Sequence, residues 1–338
     1  MDSLTQVRLT CELIDIDSTT GREQEAGEYI ARTLEGLGWR VERQQVMDGR
    51  FNVLARTAAD PVVVFSTHFD CVPPFFPSRE EHDRVYGRGA CDAKGILVAQ
   101  VAAAERLRAA GEQRVGLVFV IAEERGSEGA RAANEAAPAS ARFLINGEPT
   151  DNRLGAATRG VYRVKLHASG RAAHSSLPEL GESAIDKLID ALMILRRVEW
   201  PSDPDLGSSF YTTGLISGGV APNVISPMAQ AELMFRTVGG PDELRSLIQK
   251  HVGHLVTTED VLVVPPVRLR TAPGFDTAVF SFTTDIPWLD RWGTPLLIGP
   301  GSVTVAHTKD EYCEIRELTE AADIYERLAK ALLETPVN

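Results

Sequence analysis

Cysteine is scarce in this chain and never paired. Cys11, Cys71, Cys91 and Cys313 form no CxxC, which excludes a zinc ribbon and a disulfide-stapled scaffold. No window approaches 18 apolar residues, so no transmembrane helix is expected. The N-terminal MDSLTQVRLTCELIDIDS mixes charged and apolar residues and lacks the apolar core of a secretory signal. Basic charge is in deficit. Lys and Arg number 35 against 47 Asp and Glu, a net charge of −12, which argues against nucleic acid or an anionic membrane as partner. A cytoplasmic location is the default expectation. Serine-hydrolase chemistry lacks its signature as well: there is no GxSxG elbow, and Ser127 in RGSEG lacks the first glycine. Internal repeats and low-complexity tracts are absent.

What is present is enough chain for two domains, 338 residues with an ordinary apolar fraction of 43%. Helical spacing runs through 3–16 and 22–37, with Gly38 as the stop. Strands are expected at 39–45 and 52–56. Pro61–Thr67 and Val115–Ala122 are continuous apolar runs, the kind buried on both faces of a sheet. Lys94–Ala110 and Glu128–Ala137 read as helices between them, and Arg142–Asn146 as a short strand. The prolines of 71–86 predict an irregular, stiff loop. This alternation implies an α/β domain with a doubly wound, mostly parallel sheet. After Gly155 the texture changes to alternating strands (161–169, 210–217, 229–237, 261–264) and amphipathic helices (183–198, 241–256). The expected organisation is a larger α/β domain of 1–158 and 268–338, closed by a strand at 296–298 and a helix at 317–333. A smaller α+β domain, 159–267, is inserted into it.

The chemistry gathers where strands end. His68-Phe69-Asp70 closes the first buried run; alternation points 68 and 70 the same way. A metal-bound His68 would need a carboxylate on its other nitrogen, and Asp70 is placed to supply it. Asp92, in GRGACDAKG, leads into a helix, and one carboxylate can bridge two cations with one oxygen each. Glu123 and Glu124 follow the second buried run; adjacent carboxylates repel unless cations lie close, and one can ligate while the other stays free as a base. Glu148 ends FLINGEP, and His307 lies in GPGSVTVAH. Each alone reads equally well as an ordinary turn. Together they make a thiolate-free His/carboxylate set that suits two zinc ions, with cobalt or manganese as substitutes.

The order HxD, GRGAxDxKG, EE, GEP and GPGS…AHxxDE resembles the M20 metallopeptidases, a family that includes acetylornithine deacetylase, succinyl-diaminopimelate desuccinylase, aminoacylase and glutamate-releasing carboxypeptidase. The resemblance covers nearly the whole chain. It implies His68 and Glu148 on one metal, Glu124 and His307 on the other, Asp92 as the bridge, Asp70 as the partner of His68 and Glu123 as the general base. In the insert, GRAAHSS implies that His174 stabilises the tetrahedral oxyanion, reaching a partner subunit in a homodimer. Asn223, in PNVI, is expected near substrate. Arg236 matches an arginine that holds a substrate carboxylate, and Gly299 and Ser302 are expected along the pocket. Two positions depart from the family: Met234 stands where an Asp is usual, and Ser226 stands where a Pro is. The implied reaction is hydrolysis of an N-acyl amino acid, with a dipeptide or carboxypeptidase substrate as the alternative. A catalytically silent metal-binding protein is the remaining possibility, and the presence of Glu123 weighs against it. His82, His167, His251 and His254 are expected to be structural or solvated.

Overall fold

The computed structural model describes residues 1–336, which divide into two compact units. The first is Met1–Ala156 with Leu269–Ala278 and Thr284–Asn338; the second is Ala157–Arg268 with Val279–Thr283. The sequence reading placed 279–283 in the first unit. They group with the second because the backbone N–H of Arg159 donates to the Phe280 carbonyl.

The first unit is built on a six-stranded sheet. Strands β1 (Arg40–Met47), β2 (Arg50–Arg56), β3 (Val63–His68), β4 (Val115–Val120) and β5 (Phe143–Asn146) stand in the order β1-β2-β4-β3-β5, and Thr294–Leu297 forms the far edge. β3, β4, β5 and the edge strand are parallel, whereas β1 and β2 form an antiparallel hairpin. Every residue of β3 and β4 is buried. Both sheet faces are covered, which is why these strands read as unbroken apolar runs. Helices Gln24–Gly36, Lys94–Ala109 and Ile315–Leu333 pack one face around Phe65, Ile96, Leu318 and Tyr325. Helix Glu128–Glu135, with Trp288 and Trp292, covers the other around Val64, Val118 and Leu144. Gly38 takes φ +91 just past its helix, the left-handed stop that glycine allows.

The loop 71–86 is less irregular than its prolines suggest. Arg79–Glu81 and Arg84–Tyr86 pair as a hairpin turned at His82, and Tyr312–Glu314 adds a third strand. That last partner lies more than two hundred residues away, so no local pattern announces it.

The second unit is an antiparallel sheet of β6 (Gly160–Ser169), β7 (Phe210–Gly218), β8 (Met228–Thr237) and β9 (Thr257–Val264), ordered β7-β8-β6-β9. Helices Ala184–Leu195 and Pro241–Val252 cover one face over Leu166, Leu188, Leu233, Phe235 and Ile248. β8 alternates buried and open positions, as one covered face requires. The edge strand β7 leaves Leu215 and Ile216 exposed. Among the described residues no helix is long and apolar enough to cross a membrane.

Candidate metal centre

Four parallel strands of the first unit deliver side chains from their carboxyl ends. His68 is the last residue of β3, Glu123 and Glu124 follow β4, Glu148 follows β5, and His307 follows the edge strand. Asp92 arrives from the turn before helix Lys94–Ala109. Crevices outside the carboxyl ends of parallel strands are where α/β sheets place their ligands.

Nε2 of His68 lies 2.9 Å from Asp92 Oδ1 and 4.0 Å from Glu148 Oε2. Nε2 of His307 lies 3.2 Å from Asp92 Oδ2 and 3.0 Å from Glu124 Oε1. The two oxygens of Asp92 therefore face different histidines, each with its own glutamate. Donor atoms of His68, Asp92 and Glu124 all lie within 4.8 Å of one another. Glu148 Oε1 is buried and has no hydrogen-bond donor among the described residues, a vacant acceptor of the kind a cation fills. The six donors include no thiolate and fit a zinc-type ion.

Asp70 does more than the sequence suggested. Nδ1 of His68 sits 3.0 Å from the Asp70 backbone carbonyl and 3.6 Å from its Oδ1, so the carbonyl is the nearer partner. A proton on Nδ1 leaves the Nε2 lone pair free to ligate. The Asp70 carboxylate accepts the N–H groups of Glu123 (3.0 Å) and Glu124 (3.3 Å) and the Thr20 hydroxyl (2.8 Å). One buried carboxylate thus fixes the backbone of both glutamates. Ala122 (φ +62) and His307 (φ +64) hold left-handed conformations that non-glycine residues seldom adopt.

The charges balance through protons in the metal-free protein. Burial opposes charge on His68, but Asp70 and Asp92 outweigh it and hold the imidazole well above its ordinary value. Burial penalises Asp92 too, yet His307 and His68 keep its carboxyl below the usual carboxylate range. Hydrogen bonds to Asp92 and Glu124 raise His307 to about 10. Burial lifts Glu123 well above the usual range, and the Glu148 charge adds to it; burial likewise lifts Glu148. Glu124 is raised by burial against the pull of His307.

Three groups escaped the sequence reading. Asp285 is buried with neither carboxylate oxygen hydrogen-bonded among the described residues; burial raises it to about 7, and its charge reaches Glu123 and Glu148. It sits in a short turn, TTDIP, with no periodicity to mark it. Arg88 and Glu311 form a buried ion pair across the sequence. Of the expected pocket residues, Gly299 packs closely on the segment carrying Glu148: a Cβ there would strike the Glu148 carbonyl at 2.5 Å. Ser302 is half-buried, with its hydroxyl 3.0 Å from that of Thr304.

The second unit brings His174 and Asn223 together. His174 bridges to Val224, the Ser175 N–H donates to the Asn223 carbonyl, and the exposed imidazole lies 2.7 Å from the Ser176 hydroxyl. Arg236 lies elsewhere. It stands eight positions along β8 from Met228, roughly 26 Å of extended chain. Its half-buried guanidinium is pushed down by burial and has no carboxylate partner among the described residues. His167 pairs with Glu259.

The model of peptidase family M20/M25/M40 matches residues 64–331. A probable carboxypeptidase of Aspergillus clavatus is 34% identical over 96% of this chain and 88% of its own length. Among solved structures, a tripeptidase from Staphylococcus aureus superposes with a TM-score of 0.83 at 19% identity, over 99% of this chain and 100% of that one. A dinuclear metal-binding M20 peptidase from Bacillus subtilis superposes at 0.73 with 17% identity, over 99% of both chains. At these identities the structures speak for the fold.

Proposed function

Since the chain belongs to peptidase family M20/M25/M40, and so is a metal-dependent hydrolase, we propose that it cleaves the amide bond next to the free carboxylate of a small peptide, using two metal ions, as a carboxypeptidase or dipeptidase. The observation that carries the two-metal reading is Asp92, whose oxygens each face a different His–Glu pair. His68, Glu148 and one Asp92 oxygen would hold one ion; His307, Glu124 and the other oxygen would hold the second. Bound there, zinc would polarise the scissile carbonyl and make the attacking water more acidic. Glu123 takes the proton from that water and returns it to the leaving amine. Asp70 holds Glu123 in place by its backbone.

The sequence put N-acyl amino acids first and peptides second. The carboxypeptidase name on a relative that matches 96% of this chain supports the opposite order. Both classes carry a free carboxylate, and the unpaired Arg236 suits it. In a panel of N-acetyl and N-succinyl amino acids, dipeptides and N-blocked dipeptides, the zinc-loaded protein is expected to prefer peptides. Arg236→Ala should raise KM for them about 10–100-fold and leave C-terminally amidated peptides unaffected, a difference of the size of a charge-assisted pair. Preference for acyl amino acids would restore the deacylase reading. Inactivity on the whole panel despite two bound ions would favour a silent protein.

A homodimer fits the second unit. The length of β8 between Met228 and Arg236, roughly 26 Å, exceeds a dipeptide, which favours a His174 supplied by a second copy to the substrate that Arg236 holds. The exposed Leu215 and Ile216 on edge strand β7 offer a surface for that copy. Mixing His174→Ala with Glu123→Ala should then restore part of the activity each has lost, because one mixed site is intact. No recovery under proven subunit exchange would reject the arrangement.

A further inference from the structure

We infer that Glu311 and Arg88 are positioning residues that aim the Asp92 carboxylate between the two histidines. Glu311 Oε1 accepts the backbone N–H groups of Gly89 (3.0 Å), Cys91 (3.3 Å) and Asp92 itself (3.2 Å). Its Oε2 accepts Arg88 Nη1 at 2.5 Å, and its own carbonyl accepts the N–H of Gly87 (3.1 Å). Three convergent N–H groups form a nest for one anionic oxygen. Arg88 is held in turn by the Pro74 carbonyl (3.2 Å) and lies over the Phe76 ring. Both side chains are fully buried.

The tie joins two segments that the site needs together. Glu311 lies four residues after His307, and the turn it grips ends in Asp92. One carboxylate thereby fixes the backbone of Asp92 relative to the segment carrying the histidine opposite it. The turn has little freedom to find this geometry unaided: a Cβ on Gly89 (φ +90) would meet Cys71 Sγ at 2.7 Å and Lys94 Cδ at 2.9 Å. A buried ion pair contributes little net stability compared with an apolar replacement, so its use here is geometric. Outer partners that orient ligands change metal affinity about 10–100-fold.

The inference rests on Asp92 and His307 as metal ligands, and the test separates the two claims. Zinc affinity of the metal-free chain is measured by competition with a chromogenic chelator for wild type, Glu311→Gln and the milder Arg88→Lys. Leu34→Ala, a core deletion in the same unit, is the control for lost stability. Both clamp variants are expected to bind zinc about 10–100-fold more weakly, while Leu34→Ala binds as wild type does at a comparably lowered melting temperature. Clamp variants that melt early but keep wild-type affinity within twofold would make the pair an ordinary core interaction and overturn the inference alone. If wild type binds no zinc, both claims fall.

Discussion

Glu123→Gln is expected to lower kcat by about 10²–10⁴, the range for losing a general base, with zinc content unchanged. The amide keeps the shape and can still hydrogen-bond a water, but it cannot take the proton. Its two acidic neighbours at the strand ends are already engaged. Glu124 Oε1 is engaged with His307, and Asp70 is spent on two backbone N–H groups and a hydroxyl. The Glu123 side chain receives no hydrogen bond among the described residues, which leaves its carboxylate free. KM should change little, because the interaction develops with the transition state. Glu124→Gln should look different, losing zinc along with activity. The paired measurement is kcat beside metal content. Glu123→Gln with near wild-type kcat would sink the assignment, and so would a Glu123→Gln protein that has lost its metal.

Stripping the metal should abolish turnover, and zinc should restore it. The affinity should also depend on pH with a definite sign. Asp92 and Glu124 hold His307 protonated up to about 10 in the metal-free protein, and His68 is held above its ordinary value. Ligation requires neutral imidazole, so protons compete with zinc. Between pH 6 and 8, zinc affinity should rise at least about tenfold per pH unit, with proton release visible by calorimetry in two buffers. For the metal-free fold the sign is opposite. A raised histidine contributes stability that is fully present below about 6.5 and is lost as pH climbs through about 10. Chelation should therefore lower the melting temperature most at alkaline pH. At zinc 100-fold above Kd the lost stabilisation is about 2.7 kcal/mol, or roughly 5–10 °C for a unit of this size. An affinity flat in pH would mean that the histidines are not ligands.

Much of the centre was legible because each donor is the last word of a local pattern. β3 and β4 are apolar runs, and His68, Glu123 and Glu124 stand where those runs stop. Glu148 likewise follows a strand, and Asp92 leads into a helix. The clamp's residues stand inside the GRGAxDxKG and AHxxDE motifs, but their role was not legible. Glu311 speaks to Asp92 through backbone N–H groups more than two hundred residues away, and backbone contacts leave no mark on residue type. Asp285 was hidden for the opposite reason: it is buried in a short irregular turn whose letters resemble any other. The His68 partner was half right, since alternation put Asp70 beside it but could not say that the carbonyl would be nearer. In the second unit His174 and Asn223 could be found as motifs, yet only the structure places Arg236 at the far end of β8 from Met228.

The sheet of the first unit is completed by Thr294–Leu297 after the whole second unit has been traversed. On a ribosome that order is a schedule. The strands bearing His68, Glu123 and Glu148 emerge early, and the second unit follows with its core already contained between residues 157 and 283. Only then do the edge strand, His307 and Glu311 arrive. A nascent chain that ends before residue 307 offers one histidine among several acids, a poor trap for zinc. A site that needs both histidines can be completed only after the edge strand has been made.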